Sequence, residues 1–102
     1  MGRRLELHDE FLHELGIDNV YFQPPEKLKL NYPCMVYQLN TGDTQFADNK
    51  PYLFRKQYMA IYITPDPDSE MPRKIALHFP MSRMDRFYTA DNLNHYVFMI
   101  YY

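Results

Sequence analysis

The residues with reactive side chains are few and scattered along the chain. The histidines are His8, His13, His78 and His95, and none lies in a His-x3-His or Cys-x2-Cys spacing that would build a metal site. Cys34 falls inside an apolar stretch, where cysteine usually behaves as a small buried hydrophobe. A nucleophilic role would need a histidine and an open pocket beside it, and the sequence indicates neither. We therefore expect no metal, no cofactor and no catalytic residues, so that the chain is not an enzyme.

A short acidic run, Asp66, Asp68 and Glu70, has side chains that a hard divalent cation would accept. The same residues lie among Pro65 and Pro67, directly before an apolar helical pattern. Aspartate in such a place commonly forms a turn and caps the helix that follows. We favour the turn and cap over a cation site.

Two basic residues, Arg55 and Lys56, lie among the aromatic residues Tyr52, Phe54 and Tyr58. This composition is typical of a platform for single-stranded nucleic acid. Neighbouring residues of a strand point to opposite faces, however, so these side chains cannot form one basic aromatic surface. The net charge of −2 also gives no long-range attraction to phosphate. A small nucleic-acid-binding module remains an alternative rather than the leading interpretation.

The first element that must hold these residues is a helix from Arg4 to Leu15. Leu5, Leu12 and Leu15 recur at helical spacing, with His8 in the same stripe and Phe11 beside it. Gly16 then ends the helix because glycine adopts a left-handed conformation without steric cost.

The middle of the chain has the alternation and β-branched residues of strands. The predicted strands are Val20–Gln23, an irregular edge strand over Glu26–Pro33, Cys34–Leu39 and Tyr52–Ile63. The polar stretch from Thr41 to Pro51 then joins two adjacent strands as a hairpin loop much longer than the usual two to five residues.

A second helix follows the proline-rich turn, with Asp68 or Ser69 as its cap. Its small apolar face is Ile75, Ala76 and Phe79, and Pro80 ends it. Two more strands, Met81–Tyr88 and His95–Tyr102, flank an asparagine-rich turn. The sequence therefore predicts one α+β domain over residues 1–102: an antiparallel or mixed β-sheet with two helices packed on one face, plus a long β-hairpin.

Composition bears on where the protein acts and on what it contacts. No apolar segment is long enough to cross a membrane, and no apolar region follows the basic N-terminal residues, so we expect synthesis in the cytoplasm and no membrane contact. The ten tyrosines combine an apolar ring with a polar tip, which suits half-buried sites and surfaces covered by a partner. The enrichment is a first indication of an assembly protein.

Four phrases resemble one family when they are taken together: "YPC-V-Y" from Tyr32, "TQFADN-PY" from Thr44, "ITPDPDSE-P-KIA" from Ile63 and "R-YTADNLNH-VF-IYY" from Arg86. They are similar to the small head-tail joining proteins of long-tailed phages that infect Gram-positive bacteria. Within that group the chain most resembles the tail terminator, or tail completion, proteins. The resemblance covers residues 32–102, and residues before it match only as a helix followed by a proline-bearing segment.

The resemblance implies a structural virion protein, made in the host bacterial cytoplasm and located in the neck of the particle. It implies a homo-oligomeric ring, a hexamer in this family, that caps the tail tube protein and joins it to the head connector or stopper protein. DNA would pass through the ring without specific binding. Another neck component, such as a stopper or connector adaptor, is an alternative.

The resemblance also implies roles for two groups of residues. A polar hairpin tip would line the lumen or reach the next ring, and its residues are Thr41, Asp43, Gln45, Asp48, Asn49 and Lys50. Acidic residues there would repel phosphate. We expect subunit contacts from Arg55, Tyr58, Tyr62, Tyr101 and Tyr102, although each tyrosine suits packing under the two helices equally well.

Overall fold

The computed structural model describes residues 4–40 and 56–102, and these residues form one five-stranded sheet with helices on one of its faces. The elements in chain order are α1 (Arg4–Asp9), a π-helix (Glu10–Glu14), β1 (Val20–Phe22), β2 (Cys34–Leu39), β3 (Gln57–Thr64), α2 (Met71–His78), β4 (Ser82–Ala90) and β5 (Leu93–Tyr101). The predicted α+β class and the placement of the helices are confirmed.

The strands lie in the order β1-β2-β3-β5-β4, so β1 and β4 are the two edges. β1 runs parallel to β2 and every other neighbouring pair is antiparallel, which makes the sheet mixed. β2 and β3 are adjacent and antiparallel, as the predicted hairpin requires. The hairpin loop itself lies outside the described residues.

The core lies between the helices and one face of the sheet. Leu7 and Phe11 from the first helical region and Ile75 and Phe79 from the second are buried on it. Their partners in the sheet are opposite one another in the strand register and so share a face: Met35, Tyr37, Tyr58, Ala60, Tyr62, Phe98 and Ile100. Edge-to-face aromatic contacts tie the layers together, for example Phe11 with Tyr37 at 5.2 Å between ring centroids.

The first helix differs from its prediction. The stripe was placed on Leu5, yet Leu5 is 71% exposed, and the buried residues are Leu7 and Phe11. Leu7 and Phe11 are four residues apart, so the helix packs a second regular stripe on the sheet instead of the predicted one. After Asp9 the helix widens to a π-helix, in which the amide of Leu15 donates to the carbonyl of Glu10 at 3.0 Å, five residues back. Gly16 follows with a positive φ of 76°, which confirms its predicted role.

The edge strand predicted over Glu26–Pro33 was wrong, because that segment contains no strand. Both sides of β2 are already occupied, by β1 and by β3. The segment instead uses local contacts, such as the amide of Asn31 donating to the Tyr21 hydroxyl at 3.2 Å.

The later predictions hold more closely. α2 has Pro72 in its first turn, but its N-cap residue is Glu70, which makes no side-chain cap hydrogen bond, so the cap predicted at Asp68 or Ser69 was wrong. The Ser69 hydroxyl still accepts from the Met71 amide at 3.2 Å, just before the helix. The Asp66 carboxylate accepts from the Asp68 amide at 2.9 Å, which confirms the turn preferred for the acidic run. Ile75 and Phe79 face the core, whereas Ala76 is exposed, so that part of the predicted apolar face was wrong. β4 and β5 are joined by the two-residue turn Asp91–Asn92, both at positive φ.

Candidate functional site

The residues predicted to contact other molecules fall into two groups. Thr41, Asp43, Gln45, Asp48, Asn49, Lys50 and Arg55 all lie outside the described residues. The predicted contact residues within the described part are Tyr58, Tyr62, Tyr101 and Tyr102.

Tyr58 and Tyr62 belong to the core of the chain itself, where they are 2% and 4% exposed. Burial raises the pKa of both phenols. Their side chains are covered by the helices, so they are not on the surface that a second subunit could touch. The assignment of these two residues to a subunit interface is corrected, and the alternative of packing under the helices is the observed one.

Tyr101 lies at the end of β5, beside the positions where the chain leaves and re-enters the sheet. The backbone amide of Asn40 donates to the carbonyl of Gln57 at 2.7 Å, and its side-chain amide donates to the Gln57 side chain at 3.0 Å. The Gln57 side chain in turn donates to the Tyr101 hydroxyl at 3.0 Å. These bonds fix both ends of the segment between residues 40 and 57 against β5.

Tyr102 belongs to a polar cluster that joins three parts of the chain. Its hydroxyl donates to Oε2 of Glu10 in the π-helix, and Nε2 of His78 at the end of α2 lies 2.7 Å from Oε1 of the same carboxylate. Both carboxylate oxygens therefore have a partner. The π-helix places Glu10 in this position, and π-turns are frequent at functional sites.

These features lie at the same end of the molecule. Gln57 starts β3, Tyr101 ends β5 and Ser82 starts β4, and the strand register places all three at the same end of their strands. Two neighbouring concavities open there: one of about 240 Å³ between Glu10, His78 and Tyr102, and an open one of about 590 Å³ that Tyr102 shares with Leu5, Glu6 and Asp9. This end includes Asn40, Gln57, Tyr101, Tyr102 and Glu10. We call it the C-terminal end of the sheet, because the last strand, β5, ends there.

The side chains of Cys34 and His8, which could take part in covalent chemistry, are buried or in contact with another side chain. Cys34 is buried, and desolvation raises the pKa of its thiol to about 11, so the thiolate is scarce near neutral pH. His8 Nδ1 lies 2.7 Å from the Tyr37 hydroxyl, and burial, followed by the charge of Arg4, lowers the pKa of His8. No three His, Cys, Asp or Glu side chains in residues 4–40 and 56–102 come together as a metal site.

The sheet face opposite the helices carries a second, smaller constellation at the outer strand. The ring of Tyr88 on β4 stacks on His95 of β5 with centroids 4.5 Å apart, and the Arg86 guanidinium lies 5.8 Å from the Tyr88 ring. Cross-strand pairing of Tyr88 with His95 places them on one face, which the sequence alone did not indicate. A basic and aromatic surface thus exists on β4 and β5, whereas most of Tyr52–Tyr58 lies outside the described residues.

Sequence reasoning also missed the cluster of Glu10, His78 and Tyr102. The carboxylate is 68 residues from His78 and 92 from Tyr102 along the chain. The sequence indicated Tyr102 only as a candidate for subunit contacts. It did not name the partner.

Comparison with known proteins adds no relative: no protein-family model, curated protein or solved structure matches this chain. No helix of residues 4–40 and 56–102 has the length and apolar character needed to span a membrane.

Proposed function

We propose that the chain is a structural virion protein of the phage neck, a tail terminator subunit without enzymatic activity. In this proposal a homo-oligomeric ring, a hexamer in the family that the chain resembles, caps the tail tube protein and contacts the head connector or stopper. DNA passes through the ring without specific binding. The proposal rests on the four sequence phrases and on the order of elements, which suits the α+β sandwich that the resemblance implies.

The observation that carries the proposal is the grouping at the C-terminal end of the sheet. The hydrogen bonds of Asn40, Gln57 and Tyr101 hold both ends of the polar segment at this one end. Tyr101 and Tyr102 lie next to it, half-buried, beside two concave surfaces. A ring subunit needs such an end, where a polar excursion and aromatic contact residues meet a neighbour. The polar residues Thr41 to Lys50 would line the lumen or reach the next ring.

The test measures the mass of the purified protein by light scattering, with and without assembled tail tubes, followed by imaging of the tube ends. We expect a ring at tube ends and no ring on tubes after deletion of Thr41–Lys50. Tyr101→Ala should weaken capping, whereas Tyr32→Ala should not. Tyr32 is a matched control because it is an exposed tyrosine beside Cys34, at the opposite end of β2 from Asn40.

Two outcomes would redirect the proposal. Binding to DNA-filled heads without binding to tails would make the chain a stopper or connector adaptor. Equal loss of capping in the two tyrosine variants would remove the C-terminal end of the sheet as the contact surface.

A nucleic-acid-binding module is a second candidate because of the surface formed by Arg86, Tyr88 and His95. Proteins that bind single-stranded nucleic acid stack its bases on aromatic rings and place positive charge near its backbone. Fluorescence anisotropy with single-stranded DNA at about 50 and 200 mM salt separates the candidates. The ring subunit gives almost no binding, whereas the module gives salt-dependent binding that Tyr88→Ala abolishes.

A further inference from the structure

We propose that two copies of this chain pair through their β4 strands, antiparallel and around a two-fold axis between Asp85 and Arg86, into one continuous sheet. The contact does not depend on the proposed ring. It is isologous and closes at two copies, whereas a ring needs two different surfaces on each subunit.

β4 is a long edge strand with nothing from the described chain against its outer side. It lies last in the sheet order, and every residue from Arg83 to Ala90 is exposed. Such an edge presents a row of backbone donors and acceptors to another strand. The opposite edge, β1, has only three residues.

The two faces of β4 differ in character. On β4, Met84 and Phe87 pair with core-facing residues of β5 and therefore lie on the helix side of the sheet. They are 52% and 48% exposed. The residues on the other face are Arg83, Arg86 and Tyr88. A partner strand must therefore offer apolar side chains on one face and side chains that suit arginine on the other.

A β-bulge at Asp85 decides which self-pairing satisfies this condition. Met84 pairs with Phe98 and Arg86 with Val97, so Asp85 is an extra residue without a partner in β5. The insertion puts Met84 and Phe87 on the same face, although their spacing would separate them in a regular strand. Antiparallel self-pairing centred between Asp85 and Arg86 then opposes residues of the same face: Ser82 with Thr89, Arg83 with Tyr88, and Met84 with Phe87.

The backbone of β4 has the matching alternation. The carbonyl of Met81 accepts from the amide of Tyr101 at 2.9 Å, so Met81 and the residue two further on, Arg83, direct their backbone groups to β5. Ala90 flanks the two-residue turn and is hydrogen-bonded to Leu93 in the same way, as in other hairpins of this length. The residues whose backbone groups point to the free edge are Ser82, Met84, Phe87 and Thr89. They are the same residues that the self-pairing brings opposite each other.

Charge selects this register from its neighbours. Asp85 of one copy faces Arg86 of the other at the centre, and Arg83 faces the ring of Tyr88, which favours a cation. Within one chain Asp85 lies 3.0 Å from Arg83 and 3.4 Å from Arg86, in exposed pairs that are worth little. If the register shifted by one residue, Arg86 of one copy would lie opposite Arg86 of the other. Met84 would then lie opposite Tyr88, whose side chain is on the other face of the sheet. Exposed charges usually keep edge strands apart, but in the proposed pairing they are complementary.

The first experiment measures the mass of the full chain by light scattering over a concentration series. We expect a shift from one chain of 12.4 kDa to two. Asp85→Arg and Arg86→Asp, each alone, oppose like charges and should raise the dissociation constant at least about tenfold. The double variant with both changes restores opposite charges and should dimerise as the wild type does. Leu77→Glu is the control, because Leu77 is 75% exposed on α2, outside the pairing.

The second experiment measures amide hydrogen exchange of the wild type at low and high concentration. The amides of Ser82, Met84, Phe87 and Thr89 should gain protection with concentration, whereas Arg83, Arg86, Tyr88 and Ala90 are protected by β5 at both. This alternation is specific to strand pairing at the edge.

Three results would overturn the inference: a single-chain mass at every concentration, a double charge variant as weak as the single ones, or an oligomer in which these four amides stay unprotected. The last result would leave a ring possible while excluding β4 pairing. Failure to cap tail tubes, conversely, would not bear on the dimer. Circular dichroism of each variant identifies any that does not fold, and the exchange measurement needs no variant.

Discussion

The carboxylate of Glu10 provides the sharpest test of how the C-terminal end of the sheet is held. We predict that Glu10→Ala lowers the free energy of unfolding by about 2–3 kcal/mol. The carboxylate accepts hydrogen bonds from Tyr102 and from His78, and a hydrogen bond to a charged group contributes about 1.5–3 kcal/mol. The side chains of His78 and Glu10 are 27% and 30% exposed, so water replaces part of each bond and the lower end of that range applies to both.

The assay is urea unfolding at pH 7, with the slope of the transition compared between variants to establish that the unfolded state is unchanged. In Glu10→Gln the side-chain carbonyl can still accept from His78, and the side-chain amide can donate to the hydroxyl oxygen of Tyr102. The free energy of unfolding should therefore fall by only about 1 kcal/mol. Tyr102→Phe in the Glu10→Gln background should then cost less than Tyr102→Phe in the wild type. Asp9→Ala is a matched control, because Asp9 is an acidic neighbour whose His13 contact is exposed.

A loss below about 0.5 kcal/mol for Glu10→Ala would refute the reasoning, since that is the range of ordinary surface substitutions. Purely additive losses in the combined Tyr102 and Glu10 variants would refute it as well, because side chains in contact should be energetically coupled.

Three further predictions concern single positions. Gly16→Ala should cost about 1–2 kcal/mol in urea unfolding through backbone conformation alone, because φ is 76° and an added Cβ meets nothing within 4 Å; an unchanged midpoint would contradict this. Asn92→Gly should raise the unfolding free energy by a few tenths of a kcal/mol and Asn92→Val should lower it by more, because Asp91 and Asn92 both hold positive φ; equal midpoints for the two variants would count against the turn. The thiol of Cys34 should resist a thiol reagent at pH 8 until the protein unfolds, and rapid labelling of the folded protein would show the site to be open. Its contribution to stability is complete below about pH 9 and should be lost as the pH rises through about 11, where the folded thiol ionises. Cys34→Ala should lessen that loss.

The sequence was sufficient for the elements whose patterns are local. Cys34–Leu39 reads as a strand because β-prone residues are bounded by proline and by a polar stretch, and β2 has those bounds. α2 is equally legible, since prolines mark its start and its end. Local chemistry fixes these elements wherever they pack.

The misplaced features depend on packing across the fold. The alternation in Glu26–Pro33 suits a strand, but its predicted neighbour β2 already has β1 and β3 on its two sides. The first helical region offers two apolar stripes, Leu5 with Leu12 and Leu7 with Phe11, and only packing on the sheet selects the second. Tyr58 and Tyr62 read equally well as surface or core until the register places them on the helix side.

The candidate contacts show the same division. The tyrosine enrichment that suits half-buried sites was legible from composition. The partner of Tyr102 was not, because Glu10 lies 92 residues away. The pairing capacity of β4 was hidden as well, since it follows from the bulge at Asp85, which only the register with β5 makes visible.

Hydrogen-bonding groups are distributed unevenly over the described residues. The imidazoles of His8, His13 and His78 each contact a side-chain oxygen, and that of His95 contacts the carbonyl of Leu93 at 3.1 Å. No buried side-chain nitrogen or oxygen in residues 4–40 and 56–102 lacks a partner. At the outer edge of β4, by contrast, no strand of the described residues pairs with the backbone. Backbone groups along a long edge strand are the ones that a further strand uses when it adds to a sheet, which is why the proposed pairing was placed on β4.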